Sequence, residues 1–334
     1  MSEASHHFLC PNCRSPVEEK GAGYACGRCN RIYPILFGIP DFRLQGDRYL
    51  SLQDEREKAR KLSEFGKAHD LKALVAHYYS ITDDVPPHLE PVFSDYVLSA
   101  SGRSVSALGE LAPDDGLSLL DLGCGSGGAL VSGEALFKYR TGVDNALRWL
   151  VIAQKRLEEA GVTATLVCAD AEALPFAGET FSHVLASDLL ENTRSPAAAV
   201  KSSASVLELR GRLYVSSSNL RWIGPHPATG VWAAGLLPTG LRASILRRRH
   251  GVDILRAVSF VSPASVRRMA RTAGLRQVEA KPFQPEMERF AARSALSRFF
   301  AGGYSMLAKA PLFRTVLLHA GPVFQAIFVK ERSA

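Results

Sequence analysis

The segment Leu119-Leu120-Asp121-Leu122-Gly123-Cys124-Gly125-Ser126-Gly127-Gly128 constrains this chain more than any other. Its apolar start reads as a strand. The glycines that follow turn the backbone into a helix and let it pass close to a ligand, because no Cβ stands in the way. From Leu117 onward short apolar strands alternate with helical stretches. Strands are expected at 118–122, 141–143, 164–168, 183–186 and 213–216, with helices over 146–160 and 196–209 between them. That alternation predicts βαβ units and an α/β parallel sheet with helices on both faces. Gly161 stands where the C-terminal cap of the 146–160 helix is required. A further helix over 263–273 and strands at 276–281 and 323–329 continue the pattern.

Gly123, Gly125 and Gly128 also satisfy the G-x-G-x-x-G dinucleotide fingerprint, which alone is a weak signal. Three acids point instead to S-adenosylmethionine (SAM). Asp121 closes its strand just before the glycines, where a carboxylate suits the cationic amino group of methionine and repels a pyrophosphate. Asp144 ends the next strand, placed to bind both ribose hydroxyls. Asp170, in Cys168-Ala169-Asp170-Ala171-Glu172-Ala173-Leu174-Pro175-Phe176, follows the third strand, placed to meet the adenine amino group. Taken singly, Asp121 also reads as a helix cap and Asp144 as a solvated strand end; the ordered set carries the inference. Cys124 and Cys168 read as small buried groups rather than nucleophiles.

This ordered set resembles the class I SAM-dependent methyltransferases, particularly those related to the ubiquinone and menaquinone methyltransferases. The resemblance covers roughly residues 115–218 and implies a seven-stranded Rossmann-like sheet. It implies cofactor contacts from Asp121, Gly123, Cys124, Gly125, Gly127, Asp144, Asn145, Asp170, Ala171 and Ser187. In that family the fourth strand commonly ends in a serine, followed by Glu-His and a Pro-initiated helix. Here the stretch is Ser187-Asp188-Leu189-Leu190-Glu191-Asn192-Thr193-Arg194-Ser195-Pro196. Asn192 replaces the histidine, so no catalytic role carries over to that position.

Residues 1–45 read as a separate module. Cys10-Pro-Asn-Cys13 and Cys26-Gly-Arg-Cys29 are two C-x-x-C knuckles on one small hairpin, the spacing of a closed, structural four-thiolate Zn²⁺ site. So short a segment needs metal ligation to fold. The knuckles and the following Tyr33-Pro34-Ile35-Leu36-Phe37-Gly38-Ile39-Pro40 resemble the zinc ribbon of the small activator subunit that partners tRNA and release-factor methyltransferases. Residues 46–112 read as a helical linker that caps the cofactor, with Tyr78 and Tyr79 serving either that role or ordinary packing. Residues 113–334 read as the catalytic domain, with inserts at 219–260 and 285–320.

Among the chain's 334 residues, 46% are hydrophobic, 22% are charged and the net charge is +7, an ordinary soluble composition with a mild basic bias. No signal peptide or membrane span is read, so a cytoplasmic protein with reduced cysteines is expected. The acceptor should meet strand ends four and five and the inserts. His226, between Pro225 and Pro227, and Asp188 are the base candidates for methyl transfer to oxygen. Arg247-Arg248-Arg249-His250 beside an apolar stretch suggests contact with an anionic membrane face or a phosphate-bearing acceptor. The second insert, with Phe299, Phe300, Tyr304, Met306 and Leu307, is expected to line an apolar acceptor pocket or to pack on the core. The leading reading is O-methylation of a small-molecule, glycan or lipid-type acceptor. An RNA methyltransferase is the alternative, although Asn-Pro-Pro-Tyr is missing after strand four; a non-catalytic SAM-binding module is the third.

Overall fold

The computed structural model describes residues 8–46, 48–82, 85–111, 117–226, 229–284 and 295–331. The expected domain boundary at 112–113, Pro227 and residues 285–294 of the second insert lie outside the described residues, as do the side chains of Phe299 and Phe300. Among the described residues no helix is long and apolar enough to cross a membrane.

The cysteine-rich start forms a small antiparallel sheet from β1 (Val17–Lys20), β2 (Gly23–Cys26), β3 (Ile32–Leu36) and β4 (Ile39–Pro40). Four helices follow: α1 (Leu52–Gly66), α2 (Leu71–Ser80), α3 (Glu90–Leu98) and α4 (Ala100–Leu111). Ser51 and Asp70 start α1 and α2 by accepting hydrogen bonds from the backbone N–H of Asp54 and Ala73, ordinary N-caps. Tyr78 and Tyr79 are buried on α2, and Tyr78 packs on Trp149 with ring centroids 4.6 Å apart, as ordinary packing.

The expected alternation then appears: β5 (Ser118–Leu122), α5 (Gly128–Ser132), β6 (Tyr139–Asp144), α6 (Leu147–Ala160), β7 (Thr165–Cys168), β8 (Phe181–Ser187), α7 (Pro196–Val206) and β9 (Leu207–Ser218). Gly161 caps α6 with φ +67°, as its position required. Helix α7 ends three residues earlier than expected and β9 starts correspondingly sooner. Its pairing with β8 absorbs a register shift between Phe181 and His183. The remaining elements are α8 (Thr239–His250), α9 (Pro263–Thr272), β10 (Leu275–Pro282), α10 (Ala295–Lys309), α11 (Pro311–Ala320) and β11 (Val323–Lys330). The first insert therefore carries one helix in otherwise irregular chain, and the described part of the second is helical.

The seven long strands lie in the order β10-β11-β9-β8-β5-β6-β7. Strands β7, β6, β5, β8 and β9 run parallel, and β11 runs antiparallel to β9 and β10. The chain winds outward from β5 to β7, crosses back to β8, and winds the other way. That reversal opens a crevice beyond the carboxyl ends of β5 and β8, where open α/β sheets bind ligands.

Strand β7 is the sheet's edge, and unpaired edges invite unwanted pairing. Here the exit of the cysteine hairpin covers it. Asp41 bridges Cys168 in parallel, and the Phe42 N–H donates to the Cys168 carbonyl at 2.7 Å. The ring of Phe42 is fully buried and lies 4.9 Å from Phe8 and 5.0 Å from Tyr33. Phe8 in turn lies 5.8 Å from Phe176 of the sheet domain. Thus Cys10, Cys26 and Tyr33 share one hydrophobic core with Leu120, Val143 and Val167.

Because that core is continuous, Phe42→Ala should destabilise the whole protein by about 3–5 kcal/mol, the usual cost of emptying a buried Phe site. Denaturant unfolding followed by tryptophan fluorescence tests this, since all three tryptophans (149, 222 and 232) lie outside the hairpin. An unmoved tryptophan transition would mean that the hairpin is merely appended.

Candidate functional site

After β5, Gly123, Gly125 and Gly127 take φ of +77°, +48° and +75°, the left-handed region that favours glycine. A Cβ on Gly128 would stand 2.5 Å from the Ala100 backbone, so this glycine also lets α4 close on the loop. The N–H groups of Gly123 and Cys124 donate to the Val143 carbonyl at 2.7 and 3.0 Å. They bind the glycine loop to the end of β6.

Asp144 is held by the same loop. Its Oδ2 accepts from the Gly125 N–H at 3.0 Å and its Oδ1 from the Ala146 N–H at 2.8 Å. This orients the carboxylate over the crevice with its charge satisfied by backbone dipoles. Asp121, 5% exposed, has no ion-pair partner among the described residues. Burial, and then the charge of Asp144, push its carboxyl up to about 7. A buried acid of that kind gains most from a cation placed beside it.

Asp170 is also buried, and burial raises its carboxyl above the usual range. Its Oδ2 accepts from the Leu44 N–H at 3.0 Å, while Arg194 stands 3.9 Å from Oδ1, which has no hydrogen bond. Leu44 belongs to the exit of the cysteine hairpin. The same segment places Arg43 between Asp41, 2.8 Å away, and the Asn145 carbonyl, 3.0 Å away. Arg14 of the hairpin donates to the carbonyls of Leu174 and Phe176, both at 2.5 Å, and the Leu9 N–H to that of Pro175 at 2.9 Å. The loop carrying Asp170 and Ala171 is therefore braced from the hairpin side. Cys124 and Cys168 are buried thiols whose pKa burial drives well above the ordinary value, consistent with inert packing groups.

At the end of β8, Ser187 Oγ lies 2.8 Å from Ser216 Oγ of β9. Asp188 follows with φ +52°, a strained conformation for a residue with a side chain. Its N–H donates to the Ser216 carbonyl at 3.0 Å, and Asn192 Nδ2 donates to its carbonyl at 2.8 Å. Asn192 thus clamps the turn. Tyr96 Oη donates to Asp188 Oδ2 at 3.3 Å, and the Arg103 guanidinium lies 3.3 Å from the centre of the Tyr96 ring. Asp188 and Tyr96 both reach solvent, yet surrounding protein raises the Asp188 carboxyl above the usual range. Beneath them Glu191 is buried and pushed up to about 7 by burial and by Asp188; it accepts from Ser217 Oγ at 2.6 Å and the Ser218 N–H at 3.0 Å. Tyr96 and Arg103 were not legible as site residues, since two separate helices bring them there.

His226 occupies different surroundings. Its N–H donates to the Val231 carbonyl at 2.9 Å, its ring meets Phe260 edge-on at 5.8 Å, and burial lowers its pKa to about 4. It borders a cavity of about 10 Å³ with Ser218, Asn219, Trp222 and Pro322. Such a space holds about one water. Arg247, Arg248 and Arg249 are exposed at the carboxyl end of α8, where the helix dipole favours cations. Tyr304 is partly buried, Met306 is 70% exposed and Leu307 is 37% exposed, so the described part of the second insert leaves much of its apolar surface uncovered.

In the hairpin, the sulfurs of Cys10, Cys13, Cys26 and Cys29 all lie within 4.8 Å of one another. Cys10 and Cys29 are 3.5 Å apart, as are Cys13 and Cys26. Tetrahedral Zn²⁺ with Zn–S bonds of about 2.3 Å needs S···S edges of about 3.8 Å. The four thiols fit that ion, and Tyr33 Oη lies 3.0 Å from Cys10 Sγ as an outer partner.

Residues 120–215 match a family described as a methyltransferase domain. The chain is 29% identical over 171 residues to the ubiquinone biosynthesis O-methyltransferase of Cereibacter sphaeroides (strain ATCC 17029 / ATH 2.4.9), covering 51% of this chain and 64% of that one. To the protein of the same name from Ruegeria pomeroyi it is 29% identical over 196 residues, covering 58% and 75%. A solved SAM-dependent methyltransferase from Mesorhizobium loti overlays 69% of this chain and 98% of its own with a TM-score of 0.46 at 17% identity. The strand order itself, rather than that overlay, defines the fold. Residues 120–215 thus carry a methyltransferase domain similar to that of the class I SAM-dependent methyltransferases, and the chain spans under two thirds of the length of the first of these relatives.

Proposed function

We propose that the chain is a SAM-dependent O-methyltransferase acting on a small-molecule acceptor of lipid or glycan type. The observation that carries this reading is the row of three carboxylates at the ends of adjacent strands, each differently restrained. Asp121 takes the methionine ammonium, Asp144 the ribose hydroxyls and Asp170 the adenine amino group. Bound there, SAM supplies an electrophilic methyl group. The relatives in ubiquinone biosynthesis support an oxygen acceptor.

Asp188 is the acceptor-side base in this reading, and His226 is the second candidate. The raised Asp188 carboxyl is better matched to a hydroxyl proton than an ordinary carboxylate. Tyr96, which already donates to it, orients its free lone pairs. At about 4, His226 stays neutral but is a weak base. Asp188→Asn should lower turnover by roughly 10²–10⁴-fold while leaving SAM affinity nearly unchanged. His226→Ala should keep most activity. Assays of both variants against an identified acceptor decide, and the reverse pattern would move the base to His226.

Asp144→Ala should weaken SAM by about 1–3 kcal/mol. Asp121 sets a pH dependence. Its folded carboxyl keeps a proton until about pH 7, and the ligand's cation favours the ionised form. Affinity should therefore rise between about pH 6 and about pH 8, and Asp121→Asn should flatten that rise. The same raised pKa makes the ligand-free protein lose stability as pH rises from the usual carboxylate range to about 7, because the unfolded acid ionises first. Titration calorimetry across pH tests the assignment; a flat profile in the unmodified protein contradicts it.

The hairpin is read as a structural zinc ribbon that steadies the adenine side of this site. Purified protein should carry one zinc per chain. Stripping it with a chelator should weaken SAM about tenfold or more, because Leu44 and Arg14 brace the Asp170 loop. Metal analysis with parallel SAM titrations checks this; undiminished SAM affinity in folded, zinc-free protein would refute it.

A further inference from the structure

On the flank of the sheet lies a groove that neither the cofactor nor the acceptor reading uses. Its volume is about 470 Å³, within the range of small-molecule sites. Arg267, Arg268 and Arg271 of α9 form one wall; Gln277 of β10 and His319 of α11 face it.

Among the described residues the charge on this wall has no counter-charge. Helix α9, PASVRRMART, holds three arginines and no acid. Arg267 and Arg271 stand four residues apart on one face, where like charges repel. None of the three guanidinium groups has a hydrogen bond or ion pair with a described residue. Glu279 on β10 is engaged elsewhere, 3.5 Å from Lys281 and 3.7 Å from Arg314. Helix α1, by contrast, sets Arg60 between Glu57 and Glu64. Here the described residues concentrate one sign around a concave surface.

The rim is also held in place. Asn219, 2% exposed at the end of β9, donates from Nδ2 to the carbonyls of His319 at 3.1 Å and Leu318 at 3.4 Å. Guanidinium forks match phosphoryl oxygens in pairs, and Gln277 adds an uncharged donor. Two linked phosphoryl groups carry roughly the charge of three guanidiniums.

We propose that this groove binds a diphosphate-bearing small molecule, with Arg267, Arg268 and Arg271 as its phosphate ligands. The site is distinct from the SAM crevice and does not rest on the acceptor assignment.

Calorimetry of the full chain with inorganic pyrophosphate at about 0.15 M salt tests it. Saturable one-to-one binding is expected. The double variant Arg267→Ala/Arg271→Ala should weaken it about tenfold or more. Arg247→Ala/Arg248→Ala, at the exposed end of α8, should leave it unchanged. SAM affinity and melting temperature should stay constant throughout, since these side chains are exposed. A nucleoside diphosphate compared with a short isoprenyl diphosphate distinguishes a free nucleotide from a lipid headgroup as the natural source; tighter binding of either supports the site. Absence of saturable pyrophosphate binding, its persistence in the double variant, or binding of single-stranded RNA alone overturns the proposal.

Discussion

The structure depends on how the exposed edge of a parallel sheet is covered. Strand β7 offers unpaired backbone groups next to the crevice proposed to hold the cofactor. Residues 41–44 cover them: the Phe42 N–H donates to the Cys168 carbonyl, and the Leu44 N–H donates to the Asp170 carboxylate just beyond the strand. Covering that edge commits the cysteine hairpin to one position, and the contacts of Phe8 with Phe42 and Phe176 hold it there. The hairpin is thereby drawn into the sheet's own core. The four-thiol cluster proposed to hold zinc then bears on the loop proposed to hold adenine.

The carboxylates show how one sheet end makes unlike groups from like residues. Asp144 has its charge met by two backbone N–H groups. Asp121, one strand away, has burial and a neighbouring negative charge, so its carboxyl rises to about 7. Asp188, on the other side of the switch in strand order, rests on a strained turn and receives the Tyr96 hydroxyl. Position relative to the glycine loop separates the three roles proposed for them: an orienting acceptor, a counter-ion and a base.

Much of this was legible in the sequence because it is local. The β5–glycine–α5 turn, the acid closing each strand and the Gly161 cap depend on neighbours within a few residues. So do the paired knuckles, whose four thiols the structure gathers. Strand ends and the α7–β9 boundary shifted because pairing, not propensity, set them. What could not be read is long-range. Arg14 reaches carbonyls 160 and 162 residues away, and Tyr96 meets Asp188 across 92 residues. Glu191 was visible, but its burial under Ser217 and Ser218 was not. His226 looked aimed by its flanking prolines, whereas the structure places its ring against Phe260.

The most direct test of this account is hydrogen exchange of the full chain with and without SAM. Binding should slow exchange at the Gly125 and Ala146 amides, which face Asp144, and at the Leu44 amide, which faces Asp170 from the hairpin. Protection at all three would join the glycine loop, the carboxylate row and the hairpin exit into one cofactor site. Unchanged exchange at these amides under saturating SAM would contradict it.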